Sequence, residues 1–253
     1  LRIALLTLES LASSEAVLRF VAADPSRIVL LGHSAPDRLA QARRRLAQSG
    51  PRILPYLAVN FGLAGAARRR GRLSDLCRAH GIPALAIRDV NRAAPAIAAA
   101  RPDVILTFHF DQILTARTLA LARLGGINVH PALLPRHRGP IPTFYALAEG
   151  GCGVSVHVLA PRIDAGAVLA QRAVALPPGL SVGGAARALH LAALPLVEQA
   201  LAMLPASPGI NAAPAPLLAY CPFPSAAALR RLGVPLVRPA DWRASLFAPA
   251  GGW

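Results

Sequence analysis

Arg101-Pro102-Asp103-Val104-Ile105-Leu106-Thr107-Phe108 is followed, after a helical stretch from Thr115 to Leu124, by Gly125-Gly126-Ile127-Asn128-Val129-His130-Pro131. The aliphatic runs read as strands, the stretch between them as a helix, and Gly125-Gly126 as the break that ends it. The same alternation extends toward the N-terminus. Strands are expected at Arg2–Thr7, Arg27–Gly32 and Pro83–Arg88, with helices at Ala16–Ala23, Arg38–Gln48 and Arg92–Ala100. Strand–helix alternation at this spacing implies an α/β fold, a Rossmann-like and mostly parallel sheet with helices on both faces.

Downstream the texture changes. Pro131, Pro135, Gly139, Pro140 and Pro142 punctuate an irregular loop, and Phe144 to Glu149 reads as the end of a helix. Val154–Leu159 and Val168–Leu176 are then two strands with a short connection, which suggests an antiparallel hairpin at the sheet edge. A single long helix is expected over Ser181–Leu204. Residues 205 to 253 are rich in Pro and Ala and weak in periodicity. They read as an appendage packed on a domain of residues 1 to 204.

Composition narrows the chemistry. All 27 basic residues are Arg, so a Lys nucleophile, a Schiff base and a phosphate-loop Lys are excluded. Cys77, Cys152 and Cys221 form no close pair, which disfavours a disulfide framework and a cysteine zinc site and suits a reducing cytoplasm. No run is long and apolar enough for a transmembrane helix. The net charge of +15, with Arg43-Arg44-Arg45 and Arg68-Arg69-Arg70 beside Arg72, raises a polyanion-binding module. The missing Lys points instead to compositional bias, and no aromatics interleave those arginines for base stacking, so nucleic acid is not the favoured partner. The first turn, Leu8-Glu9-Ser10-Leu11-Ala12-Ser13-Ser14, has no glycine. It therefore lacks the fingerprint of an NAD site, and its serines read as a helix N-cap.

A long irregular loop in a compact domain is usually functional. Asn128 and His130 stand two apart at the end of a strand, so their side chains share a face at the edge where open α/β sheets hold ligands. The string from Ile127 to Pro140, INVHPALLPRHRGP, resembles the signature of the folate-dependent formyltransferases. Gly153-Val154-Ser155-Val156-His157, Ile163-Asp164-Ala165-Gly166, Asp89-Val90-Asn91 and Gln112-Ile113-Leu114 resemble further landmarks of that family in order. Ala132 stands where the family usually has Ser.

The resemblance implies formyl transfer from 10-formyltetrahydrofolate to an amine, with no metal and no NAD. It implies Asn128, His130 and Asp164 as catalytic residues. Gln112, Ile113, Leu114, Arg162 and Ile163 would lie at the folate, and Arg138 at the acceptor. A protonated His130, its imidazolium favoured by Asp164, is expected to face the oxyanion with the Asn128 amide. His157 is expected to be structural, and His109 with Asp111 lacks a third metal ligand close in sequence. Methionyl-tRNA formyltransferases carry a further C-terminal barrel, and only 49 residues follow Leu204 here, so a small-molecule amine is the expected acceptor. A formyltetrahydrofolate hydrolase and an Arg-rich polyanion or membrane-surface binder are the competing readings. The oligomeric state is not legible.

Overall fold

In the computed structural model the described residues are 1–61, 72–204 and 218–247. The run Arg68-Arg69-Arg70, the end of the apolar 53–67 stretch and residues 205–217 lie outside them. Strands β1 (Ile3–Thr7), β2 (Ile28–Ser34) and β3 (Ala84–Ile87) alternate with helices α1 (Ser14–Ala23), α2 (Arg38–Ser49), α3 (Leu54–Phe61) and α4 (Arg72–Ala79). Next come α5 (Ala94–Ala100), β4 (Val104–Phe108), α6 (Ala116–Leu119), β5 (Gly126–His130) and α7 (Pro142–Glu149). The hairpin strands β6 (Gly153–Val158) and β7 (Val168–Ala173) precede α8 (Val182–Ala192), α9 (Leu194–Met203), α10 (Ala226–Leu232) and α11 (Pro239–Phe247).

The strands form one sheet in the order β3-β2-β1-β4-β5-β6-β7. Pairing is parallel from β3 through β5, and β6 and β7 add antiparallel. The α/β reading and the antiparallel edge hairpin thus match the observed sheet. The central strands β1 and β4 are buried along their whole length, as near-continuous aliphatic runs require when helices cover both faces. One face packs Leu5, Leu106 and Val156 against Val17, Val197 and Leu201; the other packs Leu6 and Ile105 against Ile97 and Leu119. Crossovers run one way from β1 to β2 and β3, and the other way to β4. The crevice at the carboxyl ends of β1 and β4 is therefore the switch point of the sheet. Among the described residues no helix is long and apolar enough to cross a membrane.

Four expectations need correction. The Thr115–Leu124 helix stops at Leu119, because Leu121 and Ala122 tighten to i−3 bonds and Leu124 N–H donates instead to the Asp103 carbonyl. The long C-terminal helix is two helices joined at Ala193: Pro195 has no N–H to continue the ladder and so begins a new first turn. The Ser-rich turn does not cap α1 with a side chain. Ser14 Oγ donates to the Ser10 carbonyl, and Ser10 Oγ lies 2.8 Å from His109 Nδ1. The tail also holds more structure than its weak periodicity suggests. Ser225 caps α10 by accepting from Ala228 N–H, Gly233 ends it in the left-handed region, and Pro239 opens α11. Those punctuation residues were the available signal.

Candidate active site

The site grows from strand register. Asn128 on β5 pairs with Thr107 on β4 and, antiparallel, with His157 on β6; His130 pairs with Ser155. Because side chains alternate across a strand, this row points to one face at the carboxyl ends of β4 and β5. Thr107 Oγ donates to Asn128 Oδ1 (2.7 Å), which turns the amide N–H groups toward His157, where Nδ2 lies 3.0 Å from Nε2. His157 Nδ1 lies 2.9 Å from the Val158 carbonyl, which can only accept, so the proton sits on Nδ1 and Nε2 receives the Asn128 amide. The sequence undervalued both Thr107 and His157: a strand pattern gives a side chain's face, not its cross-strand neighbour.

Asp164 closes the row from the β6–β7 connection, at a left-handed φ of 49°. Its Oδ1 stands 3.7 Å from His130 Nδ1 and 3.5 Å from His157 Nε2, and its Oδ2 accepts from Gly139 N–H at 2.8 Å. The three expected catalytic side chains therefore meet. His130 Nε2 lies 3.1 Å from the His137 carbonyl and donates to it, leaving Nδ1 as the bare nitrogen. Two imidazoles thus present unprotonated nitrogens to one carboxylate oxygen. A proton arriving on either is paired at once with Asp164.

Electrostatics agree with that geometry and correct one expectation. Burial holds the His130 imidazole below its ordinary value, and the opposing pull of Asp164 does not overcome it. His130 is a neutral imidazole rather than an imidazolium. Burial would raise the Asp164 carboxyl, but its attraction to His130 whenever that ring is protonated, the His157 contact and the Gly139 N–H outweigh it, so Asp164 is held well below the usual carboxylate range.

A cleft of about 460 Å³ opens over this row, within the range of small-molecule sites. Leu114 and Leu159 line it with the more exposed Ile113 and Ile163, giving an apolar slot beside Asn128 and His130. Gln112 is also at the wall, but its side chain staples the sheet edge. It accepts from Val90 N–H (2.7 Å) and donates to Ser34 Oγ and the Ile87 carbonyl. Arg162 is exposed and outside the lining. At the switch-point end burial pushes His109 down to about 4 and His190 down to about 3, so two neutral imidazoles face Ala12 there. Among the described residues no cluster of side chains suits a metal ion.

Arg138, expected at the acceptor, lies elsewhere. It is 4% exposed, and its guanidinium donates to the carbonyls of Ile163, Asp164 and Leu218. Its own carbonyl accepts from Cys221 N–H at 2.7 Å. A planar fork of donors suits three converging carbonyls, so Arg138 positions the Asp164 turn and ties residues 218–221 to the catalytic loop. Arg138→Met should cost about 2–4 kcal/mol of stability by leaving those carbonyls unpaired, and Arg138→Lys should recover only part of it. Thermal unfolding of the two variants measures this. The tail is consequently one wall of the cleft: Tyr220, Pro222 and Phe223 line it, with Tyr145 Oη donating to the Pro222 carbonyl (2.6 Å).

The family model described as Formyl transferase matches residues 80–200, which contain the whole row from Thr107 to Asp164. Over that stretch, just under half of its length, the chain is similar to the formyl transferases. A methionyl-tRNA formyltransferase of Roseiflexus sp. is 35% identical over 170 residues, 63% of this chain and 50% of the relative. The chain thus spans about half the length of that curated relative. Glycinamide ribonucleotide transformylase 1 from Symbiobacterium toebii shares the fold, with a TM-score of 0.57 at 19% identity over 79% of this chain and 85% of its own. A formyltetrahydrofolate deformylase from Pseudomonas syringae shares it too, with a TM-score of 0.54 at 15% identity over 78% and 60%. The formyl transferase match ends before Tyr220 and begins after α2, so those parts of the cleft wall lie outside it.

Proposed function

We propose that this chain is a cytoplasmic enzyme that transfers the formyl group of 10-formyltetrahydrofolate to an amine. The observation that carries the reading is the convergence of Asn128, His130, His157 and Asp164 on one carboxylate-centred row beside an apolar slot. The residues present fit a pterin: Ile113, Leu114 and Ile163 offer apolar lining in the same cleft as Asn128. Residues 1 to 204 would carry the chemistry, and the tail from 205 to 253 would close the cleft.

The chain's residues supply three things. The Asn128 amide, fixed by Thr107, keeps a second N–H for the oxygen that gains negative charge when the amine nitrogen bonds to the formyl carbon. The neutral His130 accepts the amine's proton at Nδ1, and Asp164 stabilises the imidazolium so formed. As the bond from the formyl carbon to the folate nitrogen breaks, the same proton returns to that nitrogen. The proton balance closes with no external acid.

This assignment sets a pH dependence. His130 must be neutral to act, and burial lowers its value, so kcat/KM should hold through neutrality and fall only below the ordinary imidazole range, about pH 6.5. A rate falling on the alkaline side of neutrality, where an imidazolium would be lost, would contradict the assignment.

The acceptor reading has two arms. One is a small-molecule amine; the other is an aminoacyl-tRNA, the acceptor for which the Roseiflexus relative is named. Incubation with 10-formyltetrahydrofolate, followed by absorbance of the released tetrahydrofolate, tests the reaction with each acceptor class in turn. Release that requires an amine supports transfer and identifies its class. Release without any amine replaces it by hydrolysis, and no release from a folded protein overturns it.

A further inference from the structure

The cleft has a rim outside the matched family stretch that the chemistry above leaves unused. Arg45 on α2 is half-buried, lines the cleft, and lies 4.0 Å above the ring of Phe223 from the C-terminal arm. Its polar neighbour is uncharged: Nη1 donates to Gln48 Oε1 at 3.3 Å. Every Asp and Glu of the chain lies among the described residues, and none of them comes within ion-pair distance of Arg45. Asp111, the carboxylate at the same wall, is engaged by Ser34 Oγ on one oxygen and Gln41 Nε2 on the other, and acts on Arg45 only from beyond ion-pair distance. Tyr220, 46% exposed, faces the same cleft.

A guanidinium stacked on an aromatic ring keeps its in-plane N–H groups free to point outward, and stacking fixes the direction of that fork. Partial burial makes an unpaired cation costly unless a counter-anion arrives. The other arginines of α2 do not share this setting: Arg38, Arg43 and Arg44 are exposed and outside the cleft lining.

We infer that Arg45, braced by Phe223 and flanked by Tyr220, is an oxyanion-recognition subsite of the cleft that takes a carboxylate or phosphate of a substrate lying on the C-terminal arm. The inference rests on the formyl-transfer reading for the identity of the substrates, and its chemistry has two sources. One is the carboxylate of the folate's glutamate tail; the other is a phosphate carried by the acceptor.

Equilibrium binding separates them. The probes are tetrahydrofolate, tetrahydropteroate (which lacks the glutamate) and inorganic phosphate, read on the parent chain, Arg45→Gln and Arg44→Gln. Arg44→Gln removes the same charge outside the cleft, and thermal unfolding checks that each variant folds. If the anion is the donor's, Arg45→Gln weakens tetrahydrofolate about 10-fold or more and leaves tetrahydropteroate unchanged. If it is the acceptor's, both folates bind as before and the phosphate-induced rise in Tm is lost in Arg45→Gln alone. Equal binding of all three probes to parent and Arg45→Gln overturns the subsite. So does an equal loss of both folates, which would make Arg45 a brace of the slot, or a matching loss in Arg44→Gln, which would reduce it to net charge. A parent chain that binds neither folate refutes the formyl-transfer reading, while the phosphate arm still reports on Arg45.

Discussion

Asp164→Asn should lower kcat about 10²–10⁴-fold, the usual span for a lost acid–base partner, with little change in KM for the folate. The substitution keeps the shape of the side chain and can still accept from Gly139 N–H, so the turn should stay in place. What it removes is the negative charge 3.7 Å from the bare Nδ1 of His130 and 3.5 Å from Nε2 of His157. The proton accepted during attack would then have no counter-ion. The sign of the accompanying pH shift follows from the same pair. Asp164 raises the His130 value against the effect of burial, so its loss should move the acid limb of the rate profile to still lower pH. Steady-state kinetics across pH on parent and variant measures both effects. A variant as fast as the parent would remove Asp164 from the chemistry.

Gly166→Ala should cost about 3 kcal/mol or more and should depress activity further than the stability loss alone explains. A Cβ at this position would stand 1.9 Å from the Val158 carbonyl oxygen and 2.8 Å from its carbon. These are backbone atoms of β6 and cannot swing aside as a side-chain tip can. The only relief is to push the β6–β7 connection outward, and Asp164 sits two residues earlier on that connection. Gly139 is bound by the same logic from the other side. Its φ is 128°, and a Cβ there would meet the Cys221 carbonyl oxygen at 2.1 Å. Thermal unfolding together with kcat of Gly166→Ala checks the prediction. An unchanged Tm would show that the connection has slack.

Much of the site was legible from spacing. Asn128 and His130 advertise a shared face by standing two apart at a strand end, and the later Asp-x-Gly marks a tight connection. His157 was not legible, because its importance comes from the antiparallel register that sets it opposite Asn128. Arg138 was legible as a charge and misplaced as a contact. A sequence shows a cation in a loop, but only the path of residues 218–221 and the Asp164 turn turns three carbonyls toward it. The charge state of His130 was misplaced for a related reason: a neighbouring carboxylate can be inferred from a motif, but the extent of burial that opposes it cannot.

Pattern along the chain determined the alternating strands and helices and the antiparallel edge, since periodicity, Pro and Gly placement act locally, whereas the amide, imidazole and carboxylate were singled out together by the resemblance of their motifs to the formyltransferases. Which hydroxyl orients the amide, which second imidazole joins it, and how the weakly periodic tail becomes a wall of the cleft were decided only in three dimensions. Those features depend on cross-strand register, on backbone carbonyls converging from distant segments and on exclusion of water, and none of the three leaves a periodic trace in sequence.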